Sequence, residues 1–225
     1  MTDENTSPSG STAGRGWIWT IFALALLIRG GTLVELSRVD PYWSTPVVDE
    51  LTNQQDAIRI ASGKRQERPF WKPPLYPHLS ALTLLPDPPS PSALYSERAP
   101  SPWIPKGLQA ILDSFTAVLL ILLGTRLAGP RTGRIAGLIY AVSFTPVYYC
   151  AQLLDTTVFV FACVAMLWTL DRAREKDDLI GWILGGIGIG LATATRAPAL
   201  LFLPVAMLLP WLSRRLQIEF QLKRF

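Results

Sequence analysis

The strongest constraint on this chain is the segment 17–36, WIWTIFALALLIRGGTLVEL, which holds only two ionisable side chains, Arg29 and Glu35. About 20 apolar residues, rising 1.5 Å each in a helix, cross the hydrocarbon core of a bilayer. Lipid offers the backbone no hydrogen-bond partners, so such a segment must be helical to satisfy its own N–H and C=O groups. The pattern returns after Lys106, with apolar stretches at 107–127, 135–149, 153–170, 179–195 and 197–212 separated by short polar turns. The sequence therefore predicts an all-α, polytopic membrane protein with about six transmembrane helices.

Composition agrees. Charged residues make up 17% of the chain and hydrophobic ones 49%, whereas a soluble domain carries about 25% charged residues. This excludes a disordered chain and a disulfide scaffold. The net charge is +4 and the pI about 9.3, but the Lys and Arg residues flank apolar segments and form no basic stripe. No nucleic-acid partner is expected. Cys150 and Cys163 lie thirteen residues apart, roughly 20 Å along a helix, against the about 7 Å that a disulfide allows. His78 is the sole histidine, which disfavours a histidine metal cluster or a Ser-His-Asp triad.

Orientation follows from the short turns. Arg126, Arg131 and Arg134 flank one, Arg172, Arg174 and Lys176 another, and Arg214, Arg215, Lys223 and Arg224 lie in the tail. The opposite turns, near residues 151 and 196, hold only Arg196. The positive-inside rule then places both termini in the cytoplasm. Residues 1–16 read as a disordered cytoplasmic tail, 17–212 as the membrane domain and 213–225 as a basic cytoplasmic tail. The acidic, Ser/Thr/Gly-rich start lacks the basic n-region of a signal peptide. Trp17 and Trp19 suit the membrane interface.

Residues 37–104 form one long extracytoplasmic loop carrying short interfacial helices. One is predicted at 49–61 (DELTNQQDAIRIA) and stops at Gly63; a second is predicted at 77–85, begun by prolines and ended by Pro86. Residues 86–105 read as a Pro/Ser linker.

This topology gathers Asp49, Glu50, Lys72, Asp155 and Arg196 at one membrane face. Asp49 and Glu50 are either N-terminal caps or an acidic pair serving as general base or metal ligand. Lys72, in WKPPLYP with Trp71 and Tyr76, is an interfacial anchor or a partner for a lipid phosphate. Asp155 is an N-cap or a site residue at membrane depth. Arg196, in TATRAPA, is a snorkelling cation or a fixed anion ligand. Arg29 and Glu35 either snorkel or face a polar cavity. Asp113 either faces a polar cavity or, the favoured reading, is a surface or capping residue, and Gly181, Gly185, Gly186 and Gly190 read as a helix-packing stripe.

Four ordered motifs carry a resemblance: VVDELTNQQDAIRIASGK; then KPPLYP; then GTRLAGPRTGRIAGLIYA; and finally YYCAQLLDT leading to LATATRAPAL. Over about 17–212 the chain resembles the N-terminal part of the GT-C integral-membrane glycosyltransferases, in the protein O-mannosyltransferase and aminoarabinose-transferase-like group (glycosyltransferase family 39). The resemblance implies a sugar moved from a polyprenyl-phosphate carrier to an acceptor lipid, glycan or protein at the extracytoplasmic face. It implies Asp49 as catalytic base, with Glu50 orienting acceptor or site. Lys72 would contact the carrier phosphate. Tyr76, Asp155 and Arg196 would be further substrate-binding positions. A divalent metal, Mg or Mn, is the candidate cofactor, with Asp49 and Asp155 as its candidate ligands. The family's distribution points to a bacterial inner membrane.

Trp71 stands where some aminoarabinose-branch members have Glu, so that substrate is not supported. Family members are about twice as long, so the N-terminal half of an enzyme is one expectation. A non-catalytic membrane subunit or truncated remnant, working with a partner subunit, is the second reading. A small transporter is the third, disfavoured because no repeat is visible and the polar residues share one face.

Overall fold

The computed structural model describes residues 13–64, 72–86, 89, 100–176, 179–209 and 211, with side chains for all but 13–15 and 176. The expectations for Trp71, residues 1–12, the C-terminal tail and most of the Pro/Ser linker fall outside these residues, whereas residues 13–16, expected in the disordered tail, are helical. Among the described residues the secondary structure is helical throughout, without strands.

Helix α1 spans Ala13–Val39, four residues longer at its start than the apolar run. The two short loop helices are α2, Val48–Ala61, and α3, Leu75–Leu82. The long α4, Trp103–Ala128, turns at Gly129 (φ +90°) into α5, Pro130–Val142, and then α6, Phe144–Cys150. The expected span 135–149 is thus two helices broken at Ser143, whose extended backbone (φ −68°, ψ 134°) cannot continue a helix. The bundle closes with α7, Thr156–Lys176, α8, Leu179–Thr195, and α9, Ala197–Leu209, whose first turn is a 3₁₀ helix.

Among the described residues, three helices are long and apolar enough to cross a bilayer: Gly16–Val39, Trp103–Ala128 and Thr156–Glu175. The helices Leu179–Thr195 and Ala197–Leu209 are apolar but shorter.

Two helix groups share the core. Ile21, Ala25, Ala117, Ile121 and Ala141 join α1, α4 and α5. Met166, Leu170, Ile189 and Ala206 join α7, α8 and α9. Small residues let the backbones approach. A Cβ on Gly133 would lie 2.4 Å from the Ile121 carbonyl oxygen, and one on Gly181 2.8 Å from the Ala173 Cβ. On α8 the packing glycines are Gly181, Gly185 and Gly188, whereas Gly186 and Gly190 face open space. The strict four-residue stripe expected from sequence gives way to a four–three spacing, because 3.6 residues make a turn.

The bundle's exterior is apolar and its interior partly polar. On α4, Leu108, Ile111 and Phe115 are exposed, while Lys106, Gln109, Asp113, Ser114 and Thr116 are buried. Asp113 is therefore neither a surface nor a capping residue. Its carboxylate meets Arg29 Nε on α1 at 2.5 Å and accepts the Tyr140 hydroxyl at 2.5 Å. Arg29 faces this polar interior instead of snorkelling, whereas Glu35 is exposed.

Candidate functional site

The sequence-predicted polar residues gather at the end of the bundle that carries α2 and α3. Helix α2 ends in a left-handed Gly63 (φ +69°). There the Gly63 and Lys64 N–H groups cap the Ile60 and Arg59 carbonyls. Its start is strained, since the β-branched Val48 sits at φ +52°, a costly conformation for such a residue. Val48 directly precedes Asp49 and Glu50.

Neither acid caps the helix. Asp49 points outward, and its Oδ1 accepts Lys72 Nζ at 3.0 Å. The Asp49 side chain is 68% exposed and that of Lys72 25%, so both groups are accessible. The Lys72 charge also reaches Asp56, two turns along α2, whose carboxyl burial holds above the ordinary carboxylate range despite Arg59 and Lys72.

Glu50 turns inward and is buried. It accepts the backbone N–H of Leu153 at 2.5 Å, and Asn53 Nδ2, one helical turn on, donates to the Leu153 carbonyl at 2.9 Å. The pair grips both backbone groups of one residue in the 151–155 turn. Tyr76 is also buried. Its hydroxyl donates to Gln109 Oε1 at 2.6 Å, and burial pushes its phenol well above the ordinary value. Gln109 Nε2 donates to the carbonyls of Cys150 (3.0 Å) and Gln152 (2.6 Å).

Asp155 and Arg196 form a two-point pair, Nε to Oδ2 at 3.1 Å and Nη2 to Oδ1 at 2.9 Å. Nη2 also donates to Thr156 Oγ1 at 2.7 Å. The guanidinium stacks 5.2 Å over the Phe159 ring. Arg196 is thus fixed by its partners while 42% of its side chain stays exposed. The structure joins Asp49 to Lys72 and Asp155 to Arg196, and it places Glu50 and Tyr76 in the supporting interior.

The donor set does not fit a divalent metal. Among the described residues no three His, Cys, Asp or Glu side chains converge, and both candidate ligands, Asp49 and Asp155, already carry a cationic partner.

The sequence reading missed Asn53, Gln109 and Lys106. Lys106 is buried with its ammonium 4.3 Å above the Trp43 ring. A signal for the two on α4 exists: Lys106, Gln109, Asp113 and Thr116 recur every three to four residues on an otherwise apolar helix. That spacing is the mark of a polar inward face.

The fold defines an all-helical membrane protein, with three described helices long and apolar enough to cross a bilayer. Residues 106–219 match the family described as dolichyl-phosphate-mannose-protein mannosyltransferase. The chain belongs to this family of GT-C-type membrane glycosyltransferases. No curated protein and no solved structure matches it.

Proposed function

We propose that this end of the bundle is the extracytoplasmic catalytic face of a glycosyltransferase that uses a polyprenyl-phosphate sugar as donor and a hydroxyl-bearing lipid, glycan or protein as acceptor. The observation that carries the reading is the Asp49–Lys72 contact, which joins an exposed base to an accessible cation from a separate chain segment.

The chemistry follows from the charges. The acceptor oxygen attacks the anomeric carbon and forms the new glycosidic bond while Asp49 takes its proton. The bond from that carbon to the phosphate oxygen breaks, and its electron pair leaves with the phosphate. Lys72, released from Asp49, neutralises the leaving phosphate. Arg196, fixed by Asp155, offers a second cation near the interface.

Charge distribution supports the assignment of sides. Arg126, Arg131, Arg134, Arg172 and Arg174 lie at the ends and turns of helices opposite the α2–α3 end, as the positive-inside rule requires of a cytoplasmic face. Six crossings follow if α5 and α6 form one interrupted crossing and α8 and α9 are short ones.

The test uses the purified chain in proteoliposomes with a labelled polyprenyl-phosphate hexose and a mixed acceptor pool. Asp49→Asn is expected to slow transfer by about 10²–10⁴-fold with unchanged folding. An inactive wild type, or an equally fast Asn variant, would overturn the reading.

A further inference from the structure

We infer that Gln109, deep on α4, is a positioning residue for the transferase site. It acts by holding the 150–155 turn and Tyr76 in fixed register. This rests on the transferase reading above. Gln109 is 4% exposed, and its carboxamide is used on both sides. The oxygen accepts the Tyr76 hydroxyl, and the nitrogen spends its two hydrogens on the Cys150 and Gln152 carbonyls. Cys150 ends α6, so its carbonyl has no further turn of helix to accept from. Gln109 serves as a cap delivered from a neighbouring helix.

The turn is held from its other side as well. Glu50 and Asn53 grip Leu153, and two residues later Asp155 begins the turn into α7 and pairs with Arg196. Tyr76 lies four residues beyond Lys72, on the segment that meets Asp49. One buried amide therefore ties the lysine-bearing segment to the acid-bearing turn. No other side chain reproduces it. Glutamate of nearly the same size brings an acceptor against two carbonyl oxygens. Methionine takes the Gln109 acceptor from the Tyr76 hydroxyl and the Gln109 donor from both carbonyls, leaving the Gln152 carbonyl only the Leu154 N–H at 2.8 Å.

The test compares Gln109→Met, the near-isosteric Gln109→Glu and Asn53→Leu in the full chain. It measures kcat and donor KM for sugar transfer, binding of a fluorescent polyprenyl phosphate, and thermal unfolding. A misplacement of about 1 Å can cost 10²-fold in rate. Gln109→Met and Gln109→Glu are expected to lose kcat on that scale while probe affinity stays within about threefold. Combining Gln109→Met with Asn53→Leu should add little further loss, because both act through one turn. Gln109→Glu should recover rate as pH falls, since a protonated carboxyl can donate to a carbonyl. A wild-type kcat in both Gln109 variants, or a loss that only follows the unfolded fraction, would overturn the inference alone. An inactive wild type would overturn the transferase reading and this inference with it.

Discussion

Arg29 on α1 and Asp113 on α4 form an ion pair inside the bundle, Nε to Oδ2 2.5 Å, with side chains 0% and 2% exposed. Arg29 lies ten residues before the end of α1 and Asp113 ten residues after the start of α4. In antiparallel helices these positions meet about 15 Å from the helix ends, near the middle of a hydrocarbon core about 30 Å thick. The guanidinium also donates to the Ala25 and Ala141 carbonyls, so α1, α4 and α5 share one polar node. Breaking a buried pair by removing one partner costs about 3–5 kcal/mol, whereas replacing both with apolar residues is often neutral. Arg29→Met and Asp113→Leu should each lower the thermal midpoint of the detergent-solubilised protein, and the double variant should recover most of the loss. Two independent, additive losses would rule out the pairing.

The Asp49–Lys72 pair should behave in the opposite way. It is accessible, and exposed pairs contribute at most about 1 kcal/mol. Lys72→Met should leave unfolding nearly unchanged while raising the donor KM, because a charge-assisted contact to the phosphate is lost. Kinetics against increasing donor concentration check this. A variant with unaltered kcat and KM would remove Lys72 from the donor site.

The glycines separate into two kinds. A Cβ on Gly133 would lie 2.2 Å from Thr125 Oγ1 and 2.7 Å from the Thr125 nitrogen, so α4 and α5 would have to part. Gly133→Ala should destabilise by about 1–3 kcal/mol, the usual cost of overpacking. Gly186 has nothing within 4 Å, and Gly186→Ala should be neutral or slightly stabilising, since alanine favours helix by about 1 kcal/mol. Unfolding midpoints of the two variants should therefore move apart.

Asp56 carries a pH dependence. Burial raises its carboxyl pKa, an effect only partly offset by Arg59 and Lys72. A pKa higher in the folded than in the unfolded state gives a stability contribution present below the unfolded value of about 3.9 and lost as pH rises through the folded one. Asp56→Asn removes that loss. Its midpoint should exceed that of the wild type near about pH 8 and approach it near about pH 4. An advantage that instead grew on acidification would contradict the buried-carboxyl account.

Much of the architecture was legible in the residues. The apolar run 17–36 marks α1 because no other backbone is stable in lipid at that length. The DELTNQQDAIRIA pattern and Gly63 mark α2 to within a residue of its observed bounds. Asp49, Lys72, Asp155 and Arg196 were legible as one group because successive apolar helices run antiparallel and bring their segments to the same end.

Partnership was not legible. Asp49 and Glu50 are neighbours with the same chemistry, yet 100° of helical rotation sends one to Lys72 and the other to the Leu153 backbone. Asp113 looked like a surface residue because hydropathy averages around a helix and carries no direction. Periodicity in the sequence determines which residues of α4 share a face. Only the tertiary structure decides that this face looks inward, because that depends on where α1, α5 and the 150–155 turn lie. In a low-dielectric interior a buried charge or amide needs a partner, and those of Arg29, Asp113 and Gln109 lie on other segments of the chain.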